Sequence, residues 1–295
     1  MLGEAEALAA EGLANLHLTS PVVAAGAIAR LISLNGRCEG LSVVADHPAN
    51  VRALDAANAG MTLAVFVDVD PGIHRTGVAS PEAAIALAAE IAGSGNLTLA
   101  GVQYYCGSQQ HIQSFADRRA AIADRTDYLR TVLDALRTAG HAIPIVTGGG
   151  TGSFLIDAEL GVLTELQVGS YIVLDRDYGE CELAVRDAPV FEPALFVDAT
   201  VISANAAGMV TVDAGLKALS TDAGPPVMIG GGRYAFMGDE HGAIFPDGPL
   251  PGLGERVTLQ PGHCDPTVNL HDVYHVVDGD MVVDIWPVTA RGRSA

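Results

Sequence analysis

Residues 62–105 read TLAVFVDVDPGIHRTGVASPEAAIALAAEIAGSGNLTLAGVQYY, and this stretch decides the fold. Two short runs rich in apolar and β-branched residues, Thr62–Asp68 and Leu97–Tyr105, flank an alanine- and leucine-rich segment, Pro81–Ala92, with helical spacing. A strand, a helix and a second strand in this order form a βαβ unit, in which the two strands run parallel. The sequence therefore predicts a parallel sheet covered by helices.

The same alternation extends over about the first 185 residues, at the roughly 30 residues that each βα unit needs. Further predicted strands are Asn15–Thr19, Leu41–Ala45, Ile143–Thr147 and Thr164–Tyr171, and a further predicted helix is Phe115–Ala139. Several strands end in polar or glycine-rich segments, which is where a (β/α)₈ barrel gathers its chemistry. A doubly wound sheet would place GxGxxG after an early strand, and this sequence does not. The first fold element is therefore predicted to be a (β/α)₈ TIM-type barrel.

Beyond about Pro189, the helical periodicity gives way to short alternating runs that turn residues separate. These runs are Ala194–Ser203, Met209–Asp213, Arg256–Gln260, Val273–Val277 and Met281–Trp286. Short alternating strands between turns are typical of an antiparallel sheet. The predicted domains are thus the barrel, residues 1–188, and an antiparallel β domain, residues 189–295.

The composition excludes several classes of partner. The 295 residues include 16 Lys+Arg and 35 Asp+Glu, which gives a formal net charge of −19. This acidity argues against nucleic acids and anionic membrane surfaces, which both attract positive charge. The four cysteines are scattered without a CxxC pair, and the sequence shows neither a signal-peptide pattern nor a membrane-spanning apolar run. We therefore predict a cytoplasmic protein.

Two glycine-rich segments are candidates for binding a phosphate. Gly148–Gly152 follows a predicted buried strand, where backbone N–H groups can approach an anion and Thr151 can add a hydroxyl donor. It lacks the GK[ST] ending of a nucleotide-binding loop, and a tight turn explains this segment alone equally well. Gly169–Tyr171 ends the next predicted strand, and donors on two adjacent strand ends fit a barrel phosphate site.

Three further side chains are predicted at strand ends. Arg75 follows Asp68 in the loop after one strand. It could form a surface ion pair, or its guanidinium could act as a donor aimed into the barrel mouth. Tyr105 and His111 lie in the loop after the next strand. A lone histidine is more often structural, but beside tyrosine and serine at a strand end His111 is an acid–base candidate.

His263-Cys264-Asp265 is the candidate metal site. On a strand, residues i and i+2 share a face, so His263 and Asp265 are expected to converge while Cys264 points away. An imidazole and a carboxylate suit Zn²⁺ or Mn²⁺. A hydrogen-bonded His–Asp pair without metal is the alternative.

Seven segments of the chain match motifs of one known family, in the same order along the sequence. They are His74-Arg-Thr-Gly77, Tyr105-Cys-Gly-Ser-Gln-Gln-His111, Thr147-Gly-Gly-Gly-Thr-Gly152, Glu165-Leu-Gln-Val-Gly-Ser-Tyr171, Asp213-Ala-Gly-Leu-Lys-Ala-Leu-Ser220, Glu240-His-Gly242 and His263-Cys-Asp-Pro-Thr267. Together they resemble the family of D-threonine aldolases and eukaryotic-type D-serine dehydratases. These are fold type III pyridoxal-phosphate enzymes, with an alanine racemase-like barrel and a β domain.

The resemblance implies pyridoxal 5'-phosphate and a divalent metal as cofactors, and a homodimer. It implies that Arg75 approaches the cofactor ring and that Tyr105 lies beside the cofactor. His263 and Asp265 would bind the metal, and His111 would act on the substrate hydroxyl. The residues implied to hold the phosphate are Gly149, Thr151, Gly152, Gly169, Ser170 and Tyr171.

One family feature is missing from the sequence. The family carries its Schiff-base lysine on the first barrel strand, and no such segment occurs here; the only lysine, Lys217, matches a different family position. A barrel usually takes about 250 residues, so the length suggests that about two βα units are missing from the front. The expected explanations are a misassigned start or a fragment, with a relative that has lost its lysine as the less favoured one.

The implied reaction is retro-aldol cleavage of a D-3-hydroxy amino acid to glycine and an aldehyde. The alternatives are dehydration of D-serine or D-3-hydroxyaspartate, and an inactive truncated relative that only carries the cofactor. The dehydratase branch has a cysteine two residues after the metal-binding histidine, where this chain has Asp265. That difference favours the aldolase, and an oxygen ligand favours Mn²⁺ or Mg²⁺, with Zn²⁺ possible.

Overall fold

The computed structural model describes residues 1–185 and 190–294. Two compact units make up the chain: Met1–Val168 together with the residues from Gly292 onward, and Gly169–Arg291. The domain boundary predicted at residues 188 and 189 lies outside the described residues. No helix in the described part of the chain is both long enough and apolar enough to cross a membrane.

The first unit is built on six parallel strands in sequential order, from β1 to β6. The strands are β1 (His17–Leu18), β2 (Ser42–Ala45), β3 (Leu63–Asp68), β4 (Leu97–Tyr104), β5 (Ile145–Gly148) and β6 (Glu165–Leu166). Parallel strands of this kind are covered on both faces, so they read as apolar runs without alternation. In β2 all four residues are buried, as that rule requires.

Helices connect the strands of the first unit. They are α1 (Leu2–Ala10), α2 (Ala25–Asn35), α3 (Pro48–Ala57), α4 (Pro81–Gly93), α5 (Phe115–Thr138) and α6 (Phe154–Leu160). Helix α4 shows why they form: Ser80 caps it by accepting from the N–H of Ala83 at 3.2 Å, and Pro81 fits the first helical position. Its buried residues, Ala84, Leu87, Ala88 and Ile91, follow the 3.6-residue period of an amphipathic helix.

The second unit contains a six-stranded sheet with the strand order β10-β11-β8-β7-β12-β9, in which every neighbouring pair of strands is antiparallel. Its elements are α7 (Arg176–Gly179), β7 (Val197–Ser203), β8 (Val210–Val212), β9 (Val227–Met228), β10 (Gly232–Phe236), β11 (Gly242–Pro246), β12 (Arg256–Gln260) and α8 (Cys264–Val268). In β7, buried and exposed residues alternate, because one face covers its own apolar core. A separate hairpin, β13 (Val273–Asp278) and β14 (Met281–Pro287), completes the unit.

The predicted fold class is confirmed: a parallel α/β unit of the barrel type precedes an antiparallel β unit. Two local predictions are wrong. The run Thr164–Tyr171 forms a strand only at Glu165–Leu166, and Ser170–Ile172 is a 3₁₀ turn. His263–Asp265 is not on a strand either, because β12 ends at Gln260 and His263 is the N-cap of α8.

Candidate active site

The first unit brings Arg75 and Tyr105 together. The guanidinium carbon of Arg75 lies 5.2 Å from the centre of the Tyr105 ring, the distance of a cation–π contact. Arg75 follows β3 and Tyr105 follows β4, which are neighbouring strands of the sheet. The predicted placement of both residues after adjacent strand ends is therefore what the structure has, and the pair offers a cation beside an aromatic face.

Asp70 holds the loop that carries Arg75. Its Oδ1 accepts from the N–H groups of Gly72 at 2.8 Å and His74 at 3.0 Å, and its Oδ2 lies 2.8 Å from Nδ1 of His74. Burial raises the pKa of Asp70, but the hydrogen bonds from His74 and Gly72 outweigh it, so the pKa is lowered overall. His74 has a φ of 57°, a left-handed conformation that these bonds stabilise directly before Arg75.

A buried polar layer crosses the parallel sheet, and no motif in the sequence indicated it. Gln103 on β4 donates from Nε2 to Oδ1 of Asp68 at 3.0 Å, and its Oε1 lies 3.1 Å from Nε2 of His17. Nε2 of Gln167 donates to the same Oε1 at 3.2 Å. Burial lowers the pKa of His17 and raises that of Asp68, so both neutral forms are favoured. This layer links strands β1, β3 and β4 below the loops that carry Arg75 and Tyr105.

The glycine-rich loop after β5 is fixed by Ser153. Its Oγ donates to Oδ2 of Asp157 at 2.5 Å and accepts from Nε2 of Gln110 at 2.7 Å and from the N–H of Gly150 at 3.2 Å. Burial raises the pKa of Asp157 to about 6. A Cβ at Gly152 would lie 2.1 Å from the carbonyl oxygen of Gln110, so only glycine allows this approach.

The same contacts locate His111, which is exposed in the loop that contains Gln110. Arg118, fully buried on α5, donates from Nη1 to the carbonyl oxygens of Ile112 and Gln113, just beyond His111. The loop after β4 is thus tied to α5 at one end, and through Gln110 to the glycine-rich loop. The glycine-rich loop is therefore held against the loop after β4 by specific hydrogen bonds, which an isolated tight turn would not need.

Each of the two glycine-rich segments has a backbone N–H group that is open to an anion. Within residues 1–185 and 190–294, the N–H groups of Gly152 and Gly169 have no hydrogen-bond acceptor, and a Cβ at Gly169 would meet nothing within 4 Å. Open backbone N–H groups beside small residues are what an anion requires. Thr151 and Ser170 are both buried, whereas Tyr171 is 40% exposed. The residues present therefore fit a phosphate group at each segment.

The two segments do not belong to the same unit. Gly149, Thr151 and Gly152 lie in the first unit, and Gly169–Tyr171 lies in the second. The prediction that they bind one phosphate together stays a prediction.

His263 and Asp265 approach each other in the second unit. Nε2 of His263 lies 3.9 Å from Oδ2 of Asp265. Metal–ligand bonds of about 2.1 Å on each side allow two donors at this separation to share one ion. The predicted convergence holds although its strand geometry is wrong: Asp265 is in the first turn of α8, directly after the N-cap.

The expected orientation of Cys264 is also wrong. Its Sγ, a carboxylate oxygen of Asp175 and a ring nitrogen of His263 lie within 4.8 Å of one another. A second donor set is thereby possible, but Asp175 is occupied: Oδ1 accepts from the N–H of Tyr178 at 3.1 Å, and Oδ2 from that of Cys264 at 2.9 Å. Burial raises the pKa of the Cys264 thiol, which disfavours the thiolate that metals bind.

Asp222 completes the surroundings of His263. Its Oδ2 lies 2.5 Å from Nδ1 of His263, on the side of the ring away from Asp265. Burial lowers the pKa of His263, but its hydrogen bond to Asp222 and the charge of that carboxylate outweigh burial and raise the pKa overall. No sequence motif indicated Asp222 or Asp175 as a neighbour of His263, because each is far from it along the chain. The one feature that could have indicated Asp222 is its position, two residues after the family segment that ends at Ser220.

Lys217 takes no part in either group of residues. Its Nζ lies 2.7 Å from Oε1 of Glu240, and its side chain is 67% exposed. The hydrogen bond and charge of Glu240 raise the pKa of Lys217, which disfavours the neutral amine that a carbonyl compound requires. The segments Asp213–Ser220 and Glu240–Gly242 are thus joined by a surface ion pair.

The fold and these residues define a class of enzyme. The sequence matches the family "Alanine racemase, N-terminal domain" over residues 1–177 and the family "Putative serine dehydratase domain" over residues 194–277. The chain belongs to the alanine racemase-like, fold type III family of pyridoxal-phosphate enzymes.

Individual relatives narrow the class to a branch. A 3-hydroxy-D-aspartate aldolase of Paracoccus denitrificans (strain Pd 1222) is 38% identical over 99% of this chain and 77% of its own length. A D-threonine aldolase of an Arthrobacter species is 39% identical over 99% of this chain and 78% of its own. The crystal structure of D-threonine aldolase from Filomicrobium marinum superposes with a TM-score of 0.94 at 38% identity, covering 100% of this chain and 80% of that one. A D-threo-3-hydroxyaspartate dehydratase of a Delftia species (strain HT23) is 27% identical over 97% of this chain and 81% of its own length.

Proposed function

We propose that this protein is a pyridoxal-phosphate- and divalent-metal-dependent lyase. It would cleave the Cα–Cβ bond of a D-3-hydroxy amino acid to give glycine and an aldehyde. The observation that carries the proposal is the approach of His263 Nε2 to Asp265 Oδ2, at 3.9 Å, in a chain that is 38–39% identical to two aldolases. A metal ion would lower the pKa of the substrate hydroxyl, and pyridoxal phosphate would accept the electrons of the Cα–Cβ bond.

The first unit would bind the organic cofactor. When bound, pyridoxal phosphate supplies an electron sink for bond breaking at Cα. Arg75 would face the cofactor ring with Tyr105 beside it, a proposal supported by their 5.2 Å contact. The phosphate would be held by Gly149, Thr151, Gly152, Gly169, Ser170 and Tyr171, supported by the open N–H groups of Gly152 and Gly169.

The second unit would bind the metal through His263 and Asp265. When bound, the ion acts as a Lewis acid that lowers the pKa of a hydroxyl group. His111 would accept the proton of the substrate hydroxyl, for which its exposed position in the loop after β4 is suitable. Asp265 supplies an oxygen, so we propose Mn²⁺ or Mg²⁺ before Zn²⁺.

Dehydration of D-serine or D-3-hydroxyaspartate is the second candidate, since a dehydratase is among the relatives. The lower identity of that relative, 27%, and the oxygen donor at Asp265 favour the aldolase. Product analysis separates the two reactions. We expect the protein to release glycine from D-threonine or D-phenylserine faster than ammonia from D-serine. Dominant formation of a keto acid and ammonia would instead establish the dehydratase.

We also propose a substrate class, an oligomeric state and a location for the protein. The substrate is a small molecule, as for the relatives. A homodimer and a cytoplasmic location stay predictions, which sedimentation and fractionation would test.

A further inference from the structure

His263 is held at two points, its side chain and its backbone, by one closed set of hydrogen bonds. Oγ of Ser220 donates to Oδ1 of Asp222 at 2.5 Å, and Oδ2 of Asp222 accepts from Nδ1 of His263 at 2.5 Å. Oγ1 of Thr267 donates to the carbonyl oxygen of His263 at 2.8 Å and accepts from the N–H of Ser220 at 3.2 Å. The ring of contacts therefore fixes both the imidazole and the peptide that carries it.

The bond to Asp222 decides which nitrogen of His263 can bind an ion. An ionised carboxylate only accepts hydrogen bonds, so Nδ1 must carry the proton in this contact. The lone pair of Nε2 is then directed to the opposite side of the ring, where Asp265 Oδ2 lies 3.9 Å away. Carboxylates in this position orient metal-binding histidines and raise their basicity in many metal sites.

Asp222 is not itself a ligand of the same ion. Its Oδ2 is occupied by Nδ1 and its Oδ1 by Ser220, and the imidazole ring separates it from Nε2. Asp175, the other carboxylate in this region, is occupied by the N–H groups of Tyr178 and Cys264. The two acidic groups around His263 thus serve different ends: Asp175 fixes the start of α8, and Asp222 fixes the imidazole.

We propose that Asp222, held in turn by Ser220, is the positioning residue that prepares His263 for metal binding. The inference rests on the proposed metal site and deepens it. It also gives a role to the segment Asp213–Ser220, in which Lys217 only forms an exposed ion pair. Ser220 places the segment against α8 through Thr267, and Asp222 extends it to His263.

The test is a Mn²⁺ titration of metal-free protein, followed by the electron paramagnetic resonance signal of the free ion. Asp222→Ala should weaken Mn²⁺ binding about 10- to 100-fold, the usual effect of removing such a partner. Asp222→Asn, which keeps a hydrogen-bond acceptor without the charge, should lie between Ala and wild type. Ser220→Ala should weaken binding less than Asp222→Ala. Asp280→Ala removes an exposed carboxylate at the turn between β13 and β14, so it should bind Mn²⁺ as wild type does.

Thermal unfolding in EDTA separates positioning from folding. Because Asp222 is half-exposed, Asp222→Ala in EDTA should melt close to wild type, and its binding of pyridoxal phosphate should be unchanged. Wild-type Mn²⁺ affinity in Asp222→Ala, alongside loss of binding in His263→Ala, would overturn the inference and leave the metal site standing. Absence of stoichiometric Mn²⁺ binding by the wild type would overturn both.

Discussion

The two units place their candidate residues by different physical rules. In the first unit, Arg75 and Tyr105 follow the ends of neighbouring parallel strands, and topology alone brings them within 5.2 Å. In the second, His263 meets Asp222 from a position 41 residues away along the chain. Parallel sheets gather strand ends at one edge, whereas the antiparallel unit has no such rule. The positions of Arg75 and Tyr105 can therefore be predicted from the sequence pattern, whereas the surroundings of His263 depend on tertiary contacts.

The largest expected effect tests whether the second unit binds its metal independently of cofactor binding by the first unit. His263→Ala or Asp265→Ala should abolish binding of a divalent metal, since each removes one of two proposed ligands. Binding of pyridoxal phosphate should stay nearly intact, because neither His263 nor Asp265 is among the residues proposed to bind it. Metal content measured beside cofactor absorbance checks both expectations. Unchanged metal stoichiometry in both variants would remove the site.

A second prediction concerns Asp157, the buried carboxyl group in the first unit. Burial raises its pKa from 3.8 to about 6, so folded protein binds more protons than unfolded protein between these values. Its contribution to the free energy of unfolding is therefore fully present below pH 4 and is lost as the pH rises through about 6. The shift corresponds to at most about 3 kcal/mol.

Asp157→Asn removes this titration and keeps an acceptor for Ser153. Its stability relative to wild type should rise between pH 4 and pH 7, as urea unfolding at several pH values would measure. Asp134→Asn, at an exposed carboxylate of α5, is the matched control and should leave the pH profile unchanged. If the stabilities of Asp157→Asn and wild type changed in parallel with pH, the raised pKa of the buried Asp157 would be contradicted.

Metal preference gives a smaller effect within the second unit. Asp265→Cys replaces an oxygen donor by a sulfur donor, which should shift the preference from Mn²⁺ toward Zn²⁺ by about tenfold or more. Competition between the two ions, with each quantified by mass spectrometry, measures the shift. An unchanged ratio would show that residue 265 does not contact the ion.

The smallest effect is expected at Lys217. Because it pairs with Glu240 at the surface, Lys217→Arg should leave cofactor binding unchanged. Borohydride reduction after incubation with pyridoxal phosphate should label no lysine of this chain specifically. Stoichiometric pyridoxyl-Lys217 in a peptide digest would contradict this and would place the lysine in the cofactor site.

The sequence predicted the strands of the first unit well, because buried parallel strands such as β2 and β3 are mostly apolar, without alternation, and end at recognisable polar loops. It failed at Gly169–Tyr171 and at His263–Asp265, where a β-like run continues into a turn or a helix cap. Residue types also do not reveal partners across the chain. Asp222 and Ser153 are ordinary polar residues until the fold places them beside His263 and Asp157.

The central claim is that a metal in the second unit serves carbon–carbon cleavage by the cofactor in the first. The most direct measurement is glycine release from D-threonine by the protein before and after EDTA treatment. The account predicts loss of glycine formation in EDTA, recovery with Mn²⁺ in the wild type, and no recovery in His263→Ala. Undiminished glycine release by the EDTA-treated protein, with its metal removal verified, would contradict the claim.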